Sequence, residues 1–148
     1  MEGESEVVGT LAVEAVHPAD LPRELLEQKR TLNPDRFYAV VASGQVELLA
    51  FVVRERGHET PVCCWFMAQN PLYDGVLIDT FVVDKAVRTT ARVRACMRVC
   101  REVCIAVCRR FGMRMVAWGT TPDLAKRMMD LLDDERVRAV ESTLVLYL

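Results

Sequence analysis

The sequence predicts one α/β domain in which a mixed, mostly antiparallel sheet carries helices on both faces. Three observations lead there. The chain is 148 residues long with 51% hydrophobic residues, enough to bury a single core. Short Val-rich runs separated by turn signals read as strands over much of its length. A long run of helical period then lies between two strand-like runs, which is the pattern of a βαβ crossover.

Taken in order, Glu6 to Val16 alternates loosely and reads as a strand, behind an acidic stretch, residues 1–6, expected to be flexible. His17-Pro-Ala-Asp-Leu-Pro22 supplies helix-start chemistry, with Asp20 as cap and Pro22 in the first turn, so Leu21 to Arg30 is expected as a short helix that Asn33-Pro34 breaks. Arg36 to Ala42 and Val46 to Arg54 are joined by Ser43-Gly44-Gln45 and read as an antiparallel hairpin. Beyond a polar link at Arg56 to Pro61, Val62 to Met67 and Val76 to Val83 read as strands around the turn-rich AQNPLYDG. Thr89 to Arg110 is the long helix, ended by Gly112. Met115 to Trp118 is a strand; Thr120 or Thr121 caps a helix that starts at Pro122 and runs through Leu132. Ser142 to Leu148 closes as a last strand, whose open edge would permit a homodimer by sheet extension. No internal repeat or low-complexity segment is visible.

A net charge of −2 gives no global pull toward nucleic acid, and a wholly disordered chain is excluded by the apolar content. The acidic start MEGESE is the opposite of a basic leader, and no apolar run reaches the ~18 residues of a membrane span. The expected compartment is therefore the cytoplasm, with reduced thiols.

RACMRVCREVCIAVCRRFG, Arg94 to Gly112, places cysteine at 96, 100, 104 and 108. Steps of four turn a helix face by about 40°, so the thiols spread along about 18 Å and cannot ring one ion. Two neighbours could join His17, His58, Cys63 or Cys64 at zinc, but nothing in the spacing selects that. Val93, Met97, Cys100, Cys104, Val107 and Phe111 recur at steps of three and four, so core packing is the favoured reading, against metal or redox roles.

The same region is basic: nine Lys and Arg residues lie between Lys85 and Arg114 against one acid, Glu102. Arg88, Arg92 and Arg94 fall at the helix start, where the macrodipole is already positive, and that is costly unless an anion sits there. Free backbone N–H groups and guanidinium forks make such a place a phosphate site; a solvated basic face, or a face for an acidic partner, is the other reading. Nucleic acid is disfavoured, because no aromatic platform accompanies the arginines.

Other residues carry less. His58 lies in a polar link and reads as solvated. Cys63 and Cys64 alternate in an apolar run, Trp118 reads as packing, Met128 and Met129 as a helix face, and Asp130, Asp133, Asp134 and Glu135 as a solvated acidic end.

LIDTFVVDKAVRTTARVRACM, Leu77 to Met97, resembles the central strand, phosphate loop and helix of the GNAT N-acetyltransferase superfamily, with Val83 and Arg88 at the family's spacing. AQNPLYDGVLIDTFVV looks like the short GNAT-like proteins of tailed bacteriophages, and the tail from Phe111 resembles their closing strand, helix and strand. The resemblance covers about residues 36 to 148 in order of elements. It implies an acyl-CoA-dependent N-acetyltransferase transferring acetyl directly to an amine, in a host cytoplasm if phage-encoded. On that reading acetyl-CoA is the cofactor, held by the backbone of Phe81, Val82 and Val83 and by Arg88, Thr89, Thr90, Ala91, Arg92 and Val93 at the helix start. Asp79 is the implied general base, although it could equally be a hydrogen-bonded structural acid, and Tyr73, or else Cys63 or Cys64, would substitute as proton donor if the loops bring it near. No metal is implied. The family's loop glycines are replaced here by Thr89, Ala91 and Val93, and a tyrosine expected at 128 or 129 is methionine. The alternative is a catalytically degenerate member that binds a protein partner, as a virion or host-takeover component, through its arginine-rich face.

Overall fold

The computed structural model describes residues 8–70, 74–118 and 122–136. Its strands are β1 (Leu11–Val16), β2 (Leu49–Glu55), β3 (Cys63–Asn70), β4 (Gly75–Val83) and β5 (Met115–Trp118). Its helices are α1 (Arg23–Leu26), α2 (Pro34–Ser43), α3 (Thr90–Phe111) and α4 (Pro122–Leu132), with a 3-10 turn at Pro18–Asp20. The strands lie side by side in chain order; the first three pairings are antiparallel and β4–β5, joined across α3, is parallel. Tyr73, the expected caps at 120 and 121, and the expected last strand with its dimer edge lie outside the described residues.

Four expectations about the first half are corrected. Arg36 to Ala42 is not a strand: it belongs to α2, so the hairpin across Ser43-Gly44-Gln45 does not form. Asn33-Pro34 starts this helix rather than breaking one, because Asn33 Oδ1 accepts from Arg36 N–H at 3.2 Å and Pro34 presets the first turn. Gly44, at φ 72°, closes it with its N–H on Val41 O. Phe37 is buried and Tyr38 and Val41 are half-buried, a helical spacing hidden inside a Val-rich run. The earlier helix shrinks to four residues, and beyond it the bonds tighten to three-residue steps, Gln28 N–H on Leu25 O and Lys29 N–H on Leu26 O. Asp20 lies instead inside the 3-10 turn, which His17 Nδ1 caps at Ala19 N–H.

Two cores flank the sheet. On one face Phe51, Val53, Cys63, Trp65, Met67, Val76 and Ile78 meet Cys96, Cys100, Cys104 and Cys108 of α3. On the other, Ala50, Val52, Cys64, Phe66 and Val82 meet Leu21, Leu25, Leu26 and Phe37. Helices on both faces of a mixed sheet are therefore what the chain builds. The buried stripe of α3 differs from expectation: Cys96, Met97, Cys100, Cys104 and Cys108 are buried, while Val107 is half-buried and Phe111 is 57% exposed. Residues four apart form a row inclined by about 26° to the helix axis, and that row is laid on the sheet. The thiols pack as small hydrophobes, with Cys104 Sγ 3.8 Å from Met67 Sδ and 4.0 Å from Cys100 Sγ.

Candidate functional site

β4 has two halves. Gly75 to Ile78 pair with β5 as well as β3, and a Cβ at Gly75 would stand 2.4 Å from Met115 O, so only glycine admits this contact. Beyond Ile78, paired with Trp118, β5 ends; Asp79 to Val83 have β3 on one side and no described strand on the other.

The change falls at a bulge. Met67 faces Ile78 and the next residue back, Phe66, faces Thr80, so Asp79 is the extra residue. Its insertion reverses the alternation: Val76 and Ile78 enter the α3-side core, but after it Phe81 and Val83 do so. The Asp79 side chain is exposed, next to Thr80, whose Oγ1 donates to Asp79 Oδ2 at 3.4 Å. Lys29 Nζ donates to Asp79 O at 3.0 Å, and Gln28 bridges Asp84 Oδ1 and Lys85 N–H at 3.0 and 2.9 Å. Two consecutive residues after α1 thus hold the outer half of β4 at both ends. Arg88 donates to Val83 O from Nε and Nη2, at 3.1 and 2.6 Å.

The loop from β4 into α3 presents donors outward. Val87 N–H bonds Asp84 O, and Arg92 N–H bonds Thr89 Oγ1 at 3.1 Å, the N-cap. Between them the N–H groups of Arg88, Thr89, Thr90 and Ala91 have no acceptor among the described residues. Four free donors at a helix N-terminus are the kind of arrangement that can receive an anion. Lys85 and Arg94 flank it, exposed and without an ion pair among the described residues. Arg92, by contrast, points inward. Its guanidinium makes a two-pronged pair with Glu55, Nε to Oε2 at 2.5 Å and Nη2 to Oε1 at 2.8 Å, and Nη1 donates to Val87 O. Glu55 is 3% exposed and also accepts from Gly9 N–H at 2.8 Å. Arg92 beside it holds its carboxyl below the usual range. Val93 packs against the α3-side core rather than toward the donors.

A crevice of about 10 Å³, lined by Phe81, Met97, Cys100, Trp118 and Met128, lies by the edge of β4 that no described strand pairs; that is room for about one water. Met128 therefore stands beside β4, in the neighbourhood where the resemblance would place a tyrosine. Burial pushes the Cys64 thiol up to about 12 and raises those of Cys63 and Cys100, so these are not thiolates at neutral pH. The neighbouring Cys63 thiol holds the Cys96 thiol below its usual value. His58 Nε2 is 3.8 Å from Glu55 Oε1. At the end of α4, Asp134 is not solvated but pairs with Arg136 at 2.7 Å and Arg101 at 3.4 Å.

Three features escaped the sequence reading: the Glu55–Arg92 pair, the Lys29–Gln28 clamp and the bulge. Glu55 had a signal, since Phe51, Val53 and Glu55 share one face of an alternating strand. The clamp joins residues 50 or more apart in sequence and had none.

No family model and no curated protein matches the chain. Solved structures do. An IAA acetyltransferase from Bacillus cereus superposes with TM-score 0.61 at 11% identity, covering 82% of this chain and 74% of that one. Glucosamine-6-phosphate N-acetyltransferase from Arabidopsis thaliana gives 0.61 at 14% identity, covering 93% and 98%. An aminoglycoside N-acetyltransferase in complex with CoA gives 0.56 at 15% identity, covering 94% and 93%. The chain has the fold of the GNAT acetyltransferases. No described helix is long and apolar enough to cross a membrane.

Proposed function

We propose that this chain is an N-acetyltransferase that takes acetyl from acetyl-CoA and delivers it to an amine. The observation that carries the reading is the row of four N–H groups without an acceptor among the described residues, Arg88 to Ala91, at the start of α3 and beside the half of β4 whose outer edge no described strand pairs. Donors of that kind fit a pyrophosphate without needing the missing glycines, because Val93 turns into the core and leaves the approach open. Acetyl-CoA supplies the activated acyl thioester. Arg88 and the N–H groups of Thr89, Thr90 and Ala91 bind its phosphates; the backbone of Phe81, Val82 and Val83 lines its arm, with Val83 O already shared with Arg88. Arg92 serves indirectly: joined to Glu55 and Val87 O, it fixes the loop so that the donors face out. Asp79, exposed at the bulge, accepts the proton released by the attacking amine, and Tyr73 returns one to the departing thiolate.

Calorimetric titration with acetyl-CoA and with CoA tests this. Micromolar binding of both, weakened about tenfold by Arg88→Ala, is the expected result. No binding by the native chain, with binding gained in Val93→Gly, would instead assign the fold to a protein partner recognised by the arginine face.

A further inference from the structure

β1 is the outer strand of the sheet: β2 lies on one side of it and no described strand on the other. The direction of its backbone groups follows from the register. Arg56 N–H donates to Thr10 O at 2.9 Å, and residues that exchange such bonds alternate along an antiparallel pair, so Thr10, Ala12, Glu14 and Val16 turn toward β2. The N–H and C=O groups of Leu11, Val13 and Ala15 therefore point away from it. Their side chains lie opposite Glu55, Val53 and Phe51, on the α3 side of the sheet, but Val13 is 40% exposed and Ala15 is exposed, so this apolar strip is left uncovered. On the opposite face Ala12 and Glu14 are exposed, and Arg54, the cross-strand partner of Ala12, has Nε 3.9 Å from Glu14 Oε2. Natural sheets blunt an open strand with lysine, proline or a bulge; Leu11–Val16 has none of these, and Glu14 is its one charge.

We propose that β1 pairs with β1 of a second copy of this chain, antiparallel about a two-fold axis at Val13, so that two sheets join into one. Outward groups must meet outward groups, and that leaves few positions for the axis. At Val13 it sets Leu11 opposite the partner's Ala15 and engages the whole strand, with the uncovered strips of both copies side by side. At Glu14 it would set the two Glu14 carboxylates face to face, and at Ala12 it would match Ala15 with Gly9 and shorten the strip. Charge favours the Val13 axis as well. Glu14 then lies opposite the partner's Ala12, with the partner's Arg54 next in the same row. The backbones of that pair stand two strand spacings apart, about 10 Å, which a glutamate and an arginine span over the small alanine between them. The pairing does not depend on the acetyl-transfer reading.

The experiment is sedimentation velocity of the native chain over a range of concentrations, joined to amide hydrogen exchange. The expected result is a reversible dimer dissociating in the micromolar range, as suits an interface below about 1,000 Å². As the dimer fills, exchange at Leu11, Val13 and Ala15 should slow, while Ala12 and Glu14, already bonded to β2, keep one rate. Ala15→Pro deletes an N–H that the single chain does not use, so it should weaken the dimer at least about tenfold while the dilute protein still unfolds cooperatively in urea. Val13→Lys, which sets two lysines face to face on the axis, should do the same. Glu14→Arg should weaken the dimer about fivefold at low salt, and adding Arg54→Glu should restore it. A chain that stays monomeric up to about 1 mM, or a dimer that Ala15→Pro leaves intact, overturns the proposal. A dimer in which the three outward amides exchange at the monomer's rate overturns it too, and failure of the charge swap to restore pairing overturns the axis at Val13.

Discussion

The first turn of α3 and the turns behind it share one helix and face one sheet, yet they are built from opposite chemistry. Behind the first turn, Cys96, Cys100, Cys104 and Cys108 bury small, weakly polar thiols against Trp65 and Met67, and none needs a partner to be tolerated there. In the first turn the next position of the same row, Arg92, buries a full charge, tolerable only because Glu55 and Val87 O receive its donors. Thus a single row four residues apart changes from packing to polar anchoring within one turn. What differs is the neighbour on β2: Val53 faces the thiol end of the row and Glu55 the arginine.

The strongest test of that contrast is Arg92→Leu. It leaves Glu55 buried without its charged partner, and a loss of about 3–5 kcal/mol is expected in urea unfolding, against a change within about 0.5 for the exposed Arg94→Leu. Because the folded Glu55 carboxyl titrates below its ordinary value of 4.5, its stabilisation is present above that value and disappears as the pH falls through the lower, folded one. Unfolding free energy followed downward from pH 5 should therefore drop in the native chain, and Glu55→Gln should flatten the drop.

The thiol end responds at the opposite extreme of pH. Cys64, on the other face of β3, titrates at about 12 when folded against 9.0 when free, so the unfolded chain loses its proton first. Above pH 9 stability should fall by up to about 1.4 kcal/mol per pH unit for this thiol, and Cys64→Ala should reduce the slope. A smaller effect, about 1–2 kcal/mol, is expected for Cys104→Ser, because a serine hydroxyl in a helix can bond the carbonyl four residues back and recover part of its desolvation. Thr89→Ala removes the cap on Arg92 N–H and should cost about 1 kcal/mol in thermal unfolding.

Legibility divided along the range of the interactions. The α3 boundaries, from the Thr89 cap to the left-handed Gly112, were readable because the signals lie within the element itself. Arg36 to Ala42 was not, because its valines suit a strand while the decisive cap, Asn33-Pro34, also serves as a helix breaker; Phe37 packing on Phe66 is what favours the helix. At the candidate site the anion-ready start of α3 could be seen as charge, but Arg88, Arg92 and Arg94 look alike in sequence. Only the fold sends Arg92 to Glu55, Arg88 to Val83 O and Arg94 to solvent.

By itself the sequence determined the class of the domain, the long cysteine-bearing helix and the place where positive charge gathers, since period, caps and composition act locally. The tertiary structure alone decided the bulge at Asp79, the grip of Lys29 and Gln28 on β4 and the division of the arginines between core and surface. Those depend on which groups distant strands and helices bring within hydrogen-bond reach, and nothing in the spacing along the chain specifies that.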